Sequence, residues 1–280
     1  MNNNYIKWKK DSATYEDKGF FVRDLLVKNS VEKGFNEIID RYVYIYPEQI
    51  KRTFQLIPGA WGSFFGSGID LGGGVGCISS TIAQKQNVKD IYCVEFAENV
   101  VRLCHPIIKK TILSNRVDKV VSVVGDFNNL ELPDSSLDFA VTWDSIHHSQ
   151  DPVKTLKECK RVLKKGGKLV IIDRAHNNNI PDSEIDRMLN VVYGKDFLKR
   201  SFLDENIIIK RKELGEHEWR FFELEDFFRK SGFNLIESIV IKTDTKENRQ
   251  LKNDNNLVEI FTNYNLGGFL HRKVGFVLEA

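Results

Sequence analysis

Residues 67–79, SGIDLGGGVGCIS, place four glycines in five positions directly after an aspartate and a short apolar run. Glycine permits positive φ and leaves no Cβ in the way of a ligand. A turn of this kind can wrap a nucleotide-like molecule closely. The phosphate-cradling loop requires G-x-x-x-x-G-K-[ST], and no Gly-Lys-Ser/Thr occurs in the chain. The dinucleotide fingerprint G-x-G-x-x-G, started at Gly72, would put its third glycine where Cys77 stands. The observed spacing is Gly72, Gly74 and Gly76, with Asp70 two residues ahead. A second candidate for chemistry is the tandem His147-His148 in TWDSIHHSQDP, since histidine titrates near neutrality and is the natural proton acceptor. The four cysteines, Cys77, Cys93, Cys104 and Cys159, form no C-x-x-C pair, which argues against a zinc knuckle or disulfide framework and for a reducing cytosol.

The elements that must position these residues follow from periodicity. From about Gly68 to Asp173, short apolar runs alternate with longer amphipathic stretches. GIDL, DIYCVEF, VVSVVGDF, LDFAVTWDS and KLVIID read as five strands. Helices are expected over Val75 to Gln84, over Ala97 to Leu113 with a break at Pro106, and over DPVKTLKECKRVLKKGG. In the last of these Asp151 caps, Pro152 suits the first turn, and Gly166-Gly167 end the helix. The alternation implies crossover units and a mostly parallel sheet covered on both faces. ELEDFFRKSGF is one more helix closed by Gly232, and NLIESIVIK and KVGFVLEA are strands expected to pair as an antiparallel hairpin across the polar segment Thr243 to Asn256. Residues 1–62, read as mainly helical and aromatic-rich, form an expected N-terminal cap on a core of residues 63–280. Residues 174–219 are an expected insertion at the sheet edge where open α/β folds bind ligands.

The glycine spacing with a preceding acid resembles the first motif of the class I S-adenosylmethionine-dependent methyltransferases. Further features follow in that family's order. Glu95 ends the second strand nineteen residues after Gly76, Asp126 follows the third, Asp144 ends the fourth, and RVLKKGGKLVIID completes the pattern. The run HHSQDPVKTLKECKRVLKKGG looks like the small-molecule branch. The resemblance implies a Rossmann-like α/β fold with seven strands in the order 3-2-1-4-5-7-6, the last antiparallel. It implies S-adenosylmethionine as cofactor, with S-adenosylhomocysteine as product. Asp70 would face the ammonium, directly or through water. Glu95, with Phe96 beside it, would accept the ribose hydroxyls. Asp126 would read the adenine amine, with Phe127 against the ring, and Asp144 completes the cofactor set.

The loop after the fourth strand faces the sulfonium in this fold, so His147, with His148 as understudy, is the expected general base for a hydroxyl acceptor. Asp144, Asp173 and His176 have the chemistry of a divalent-ion site, but Asp173-Arg174 stands where metal-dependent relatives carry Asp-Asn, and no metal ligands are assigned. Arg174 suggests instead a cation for a carboxylate or phosphate on the substrate. GEHEWR, residues 215–220, puts His217, Glu218 and Arg220 either on a polar acceptor or at the cap of the last helix. Lys plus Arg number 41 against 39 Asp plus Glu, a balance of +2 that favours neither nucleic acid nor an anionic membrane. No apolar run reaches spanning length and the N-terminus lacks a signal-peptide pattern, so a cytoplasmic location is expected. The expected activity is methyl transfer to a hydroxyl, or less readily an amine, of a small polar metabolite such as a sugar, with a homodimer left open. The alternatives are an NAD(P)-dependent oxidoreductase and a non-catalytic S-adenosylmethionine-binding partner protein.

Overall fold

The computed structural model describes residues 5–9, 46–195, 198, 205–241, 261–262 and 271–280. Its centre is a sheet of nine strands: β1 (Ile6–Lys7), β2 (Gly66–Leu71), β3 (Val88–Glu95), β4 (Val120–Val124), β5 (Leu137–Trp143), β6 (Leu163–Ala175), β7 (Asn234–Ile241), β8 (Phe261–Thr262) and β9 (His271–Glu279). The order is β1-β4-β3-β2-β5-β6-β9-β7, with β8 pairing β9. Without the two-residue β1 and β8, this is the expected 3-2-1-4-5-7-6 arrangement. β9 runs antiparallel to both β6 and β7, and the remaining pairs of that seven are parallel.

Helices cover the faces because the central strands are apolar on both sides. Ile69, Ile91, Val123, Phe139, Val170, Ile172 and Phe276 are all inaccessible to solvent, the pattern of a sheet packed on both faces. α1 (Tyr46–Leu56), α2 (Ala60–Ser63), α3 (Cys77–Ala83), α4 (Glu98–Leu103), α5 (His105–Leu113), α6 (Pro152–Val162), α7 (Asp182–Leu189) and α8 (Phe221–Lys230) are the helices of the described residues. The break expected at Pro106 divides α4 from α5, and Asp151 caps α6 by accepting the Lys154 amide at 2.9 Å.

Of the residues expected as an N-terminal cap, 1–4 and 10–45 lie outside the described ones. Ile6–Lys7 pairs with β4, and Phe54 of α1 meets Phe64 and Trp143 edge-on inside the common core. The helix expected to run to Gly166-Gly167 stops at Val162, because Leu163 already pairs with Leu137. Phe139 then pairs with Lys168, so residues 164–167 bulge out opposite Asp138. Gly166 takes φ of 78° in that bulge, which is why glycine stands there. The polar segment Thr243 to Asn256 lies outside the described residues.

The chain runs from β2 outward to β4 and then returns to β5 on the other side of β2. The strand order therefore reverses between β2 and β5. In an open sheet, the crevice beyond the carboxyl ends at such a reversal is where ligands bind. The glycine turn follows β2, and the His147-His148 loop follows β5.

Candidate active site

The two loops touch. The Ser145 hydroxyl donates to the Gly72 carbonyl at 3.1 Å. A Cβ on Gly72 would sit 1.8 Å from Ser145 Oγ, and φ there is 72°. A Cβ on Gly73 would sit 2.4 Å from Cys93 Sγ. At these two positions glycine is demanded by the protein's own packing. Below the turn, the His105 ring donates from Nε2 to the Gly74 carbonyl at 2.8 Å, and Gly76 begins α3. His105 is buried, and burial pushes its pKa down to about 4.

The candidate cofactor residues fall at four strand ends on one edge, those of β2, β3, β4 and β5. Glu95, at the end of β3 and 2% exposed, accepts the Gly74 amide on Oε2 and the Ala97 amide on Oε1, each at 3.0 Å. A carboxylate only accepts hydrogen bonds, which is the chemistry that the two hydroxyls of a ribose call for. Glu95 pairs in register with Val124, which brings Asp126 beside it one turn later. Asp126 is buried and accepts the Asn128 amide at 2.8 Å. Phe96 and Phe127 are half-buried, Phe127 within 4.0 Å of the Cβ position of Gly72.

Asp70 departs from the expected role. It has no solvent exposure, its Oδ2 takes the Ser79 hydroxyl at 2.6 Å, and burial raises its pKa to about 7. It braces α3 from beneath the turn, and direct contact with a ligand's ammonium is not open to it in this conformation. Asp144, at the end of β5 with φ of 50°, is half-exposed and ion-paired with Lys273, whose ammonium lies 5.8 Å from the Trp143 ring centre.

His147 occupies a single helical turn, Ile146–His148. It is 5% exposed. Its backbone amide donates to Asp173 Oδ2 at 3.2 Å, and its ring Nδ1 donates to Asp173 Oδ1 at 2.6 Å. That bond assigns the proton to Nδ1 and leaves the lone pair on Nε2. Burial, reinforced by the Arg174 cation, holds the imidazole well below its usual pKa, so it is neutral at neutral pH. His148 donates from Nδ1 to the Gly215 carbonyl at 3.2 Å.

The insertion supplies the other wall, and here sequence reasoning missed the most. GEHEWR is extended, so alternate side chains share a side. Glu216 and Glu218 face Arg174 and Arg211, whereas His217 and Trp219 stack on each other with rings 4° from parallel. Arg174 pairs with Glu216 and lies with Nε 3.7 Å from Glu218 Oε1, so it is not the uncommitted cation expected for a substrate anion. His176 donates to Glu218 at 2.5 Å, and the ligand atoms that converge with those of Asp144 and Asp173 belong to His147 instead. Burial alone would raise the Glu218 pKa, but Arg174, the His176 hydrogen bond and Arg211 hold it well below the carboxylate range. Arg220 caps α8 and pairs with Asp182. Glu216 was not singled out from sequence; the period-two charge pattern was the available signal. A groove of about 770 Å³ lies beside the loop, lined by Gln150, Trp219, Phe222 and Phe227 among others, and none of the candidate cofactor residues borders it.

Residues 69–171 match the family model described as a methyltransferase domain. The chain is 31% identical over 118 residues to a norajmaline N-methyltransferase from Rauvolfia serpentina, covering 41% of this chain and 38% of that one. It is 27% identical over 156 residues to a demethylmenaquinone methyltransferase from Geobacillus sp., covering 53% and 62%. The chain spans about half the length of the curated relatives it matches. A solved structure of a SAM-dependent methyltransferase from Methanosarcina mazei superposes with a TM-score of 0.50 at 19% identity, covering 76% of this chain and 91% of that one, a likeness of fold. Among the described residues, no helix is long and apolar enough to cross a membrane.

Proposed function

Since residues 69–171 form a class I, S-adenosylmethionine-dependent methyltransferase domain, we propose that this chain methylates a hydroxyl group on a small polar metabolite, with His147 taking the proton. When bound, S-adenosylmethionine supplies a methyl group already activated on a sulfonium. The residues that would hold it are Glu95 at the ribose, Asp126 with Phe127 at the adenine, and the backbone of Gly72 to Gly76. A buried carboxylate, Glu95, beside the strand-order reversal fits that group. Asp70 shapes the turn from below.

The observation that carries the hydroxyl reading is the 2.6 Å bond from His147 Nδ1 to Asp173. It fixes the tautomer, so that Nε2 presents a lone pair at the ligand edge. Asp173 is a positioning residue, since it acts through the ring and not on the acceptor. An amine acceptor that arrives neutral needs less help from a base. The N-methyltransferase relative keeps that second acceptor class in view, but the buried histidine–aspartate pair favours oxygen.

The test combines calorimetry with S-adenosylhomocysteine and product analysis with methyl-labelled cofactor across hydroxyl and amine metabolites. His147→Gln should bind S-adenosylhomocysteine within a fewfold of the parent and lose about 10²–10⁴-fold in methyl transfer. Turnover retained within a fewfold sinks the base assignment. Absence of any heat with S-adenosylhomocysteine, from folded protein, sinks the whole reading, and binding without transfer to any acceptor favours the non-catalytic alternative.

A further inference from the structure

The insertion brings a third group to the two loop histidines. One ligand atom from each of His147, His148 and Glu216 lies within 4.8 Å of the other two. His147 Nε2 stands 3.8 Å from Glu216 Oε2, too far for a hydrogen bond and a separation that an ion between them can bridge. Both rings are anchored through Nδ1, His147 to a carboxylate and His148 to the Gly215 carbonyl. Metal-ligating histidines are held in this way, by a carboxylate or backbone carbonyl on the nitrogen that does not bind the ion. In both cases Nε2 becomes the ligating nitrogen.

We propose that His147, His148 and Glu216 form a binding site for one divalent first-row transition ion. Two imidazoles and one carboxylate select zinc, iron, cobalt or nickel over magnesium and calcium, which prefer all-oxygen shells. The other nearby cluster, Asp144, His147 and Asp173, does not serve, because its histidine and Asp173 are already joined by a short hydrogen bond. Arg174 competes for Glu216. When the ion takes that carboxylate, Arg174 retains Glu218, 3.7 Å from its Nε. The site uses the nitrogen assigned above as a proton acceptor, so the two states exclude each other. The metal-free protein has a base there, and the loaded protein has a Lewis acid in its place.

The full-length protein, stripped with a chelator and dialysed, is titrated with Co²⁺ by visible spectroscopy and with Zn²⁺ by calorimetry, with Mg²⁺ as control. One ion per chain is expected for Co²⁺ and Zn²⁺, and no saturable signal for Mg²⁺. His148→Gln and Glu216→Gln should each weaken binding about tenfold or more. Both variants should keep the parent's circular dichroism spectrum and melting temperature, which shows that they fold. No saturable Co²⁺ or Zn²⁺ signal in the parent overturns the proposal. So does unchanged affinity in either folded variant. These readouts need no methyl transfer, so they stand or fall apart from the proposed activity.

Discussion

Two buried titratable groups beneath the glycine turn pull stability in opposite directions with pH. Asp70 moves from an ordinary 3.8 to about 7 on folding, and His105 from 6.5 to about 4. Asp70 is surrounded by Ser79, Cys77, Cys93 and Glu95; His105 by the Gly74 carbonyl, Cys93, Glu95 and Lys109. Between pH 4 and 6.5 the folded chain holds the Asp70 proton that the unfolded chain has released. Asp70 therefore destabilises the fold as pH rises. Over the same window the unfolded chain holds a His105 proton that the folded chain excludes, so His105 stabilises the fold as pH rises. Each slope is about 1.4 kcal/mol per pH unit, or roughly 3 kcal/mol across the window, and the two cancel in the parent.

Single substitutions expose the hidden slopes. Asp70→Asn should gain about 3 kcal/mol relative to the parent between pH 4 and 6.5, and His105→Gln should lose a similar amount over the same range. The double variant should run parallel to the parent if the groups act independently. Urea unfolding at four pH values, followed by circular dichroism, measures all four proteins. If both single variants track the parent with pH, the two groups do not titrate as their burial dictates and the reasoning is wrong.

Gly72→Ala should lower the melting temperature and weaken S-adenosylhomocysteine binding, because its Cβ meets Ser145 Oγ at 1.8 Å; adding Ser145→Gly should recover part of both, read by thermal melts and calorimetry. Glu95→Gln exchanges charged hydrogen bonds for neutral ones and should raise the S-adenosylhomocysteine dissociation constant about tenfold, roughly 1.4 kcal/mol, by calorimetry. Arg211→Met leaves the Glu218 carboxylate buried with less compensation and should cost about 3–5 kcal/mol in denaturant unfolding, while Arg211→Met with Glu218→Leu should regain most of it.

The cofactor side was legible because its signals are local. A strand, a glycine turn and a helix follow one another, and Glu95 and Asp126 each end the next strand in turn. What spacing could not carry was depth. Asp70 stands where a ligand partner is expected, yet α3 lays Ser79 over it and closes it off. The end of α6 was misjudged for a similar reason. Gly166-Gly167 is a good local stop, but the pairing of Leu163 with Leu137 wins three residues earlier, and the glycines serve a bulge instead. Arg174 and His176 looked available because their partners, Glu216 and Glu218, lie 42 residues further on.

Those same distant contacts argue that residues 215–220 act as scaffold and not simply as a covering flap. The His147 carbonyl accepts both the His217 amide at 3.0 Å and the His217 ring Nδ1 at 2.9 Å, while its own amide and ring are tied to Asp173. The His147-His148 loop is thus gripped by β6 on one side and by the insertion on the other. Glu216 and Glu218 fasten that insertion to Arg174 at the end of β6, where a carboxylate and a guanidinium paired away from water lose far more on separation than a surface pair does. A site whose working side chain is held from two elements keeps its geometry when a substrate arrives. Changes in the insertion should therefore alter how the His147 ring is aimed, even where they touch no substrate atom.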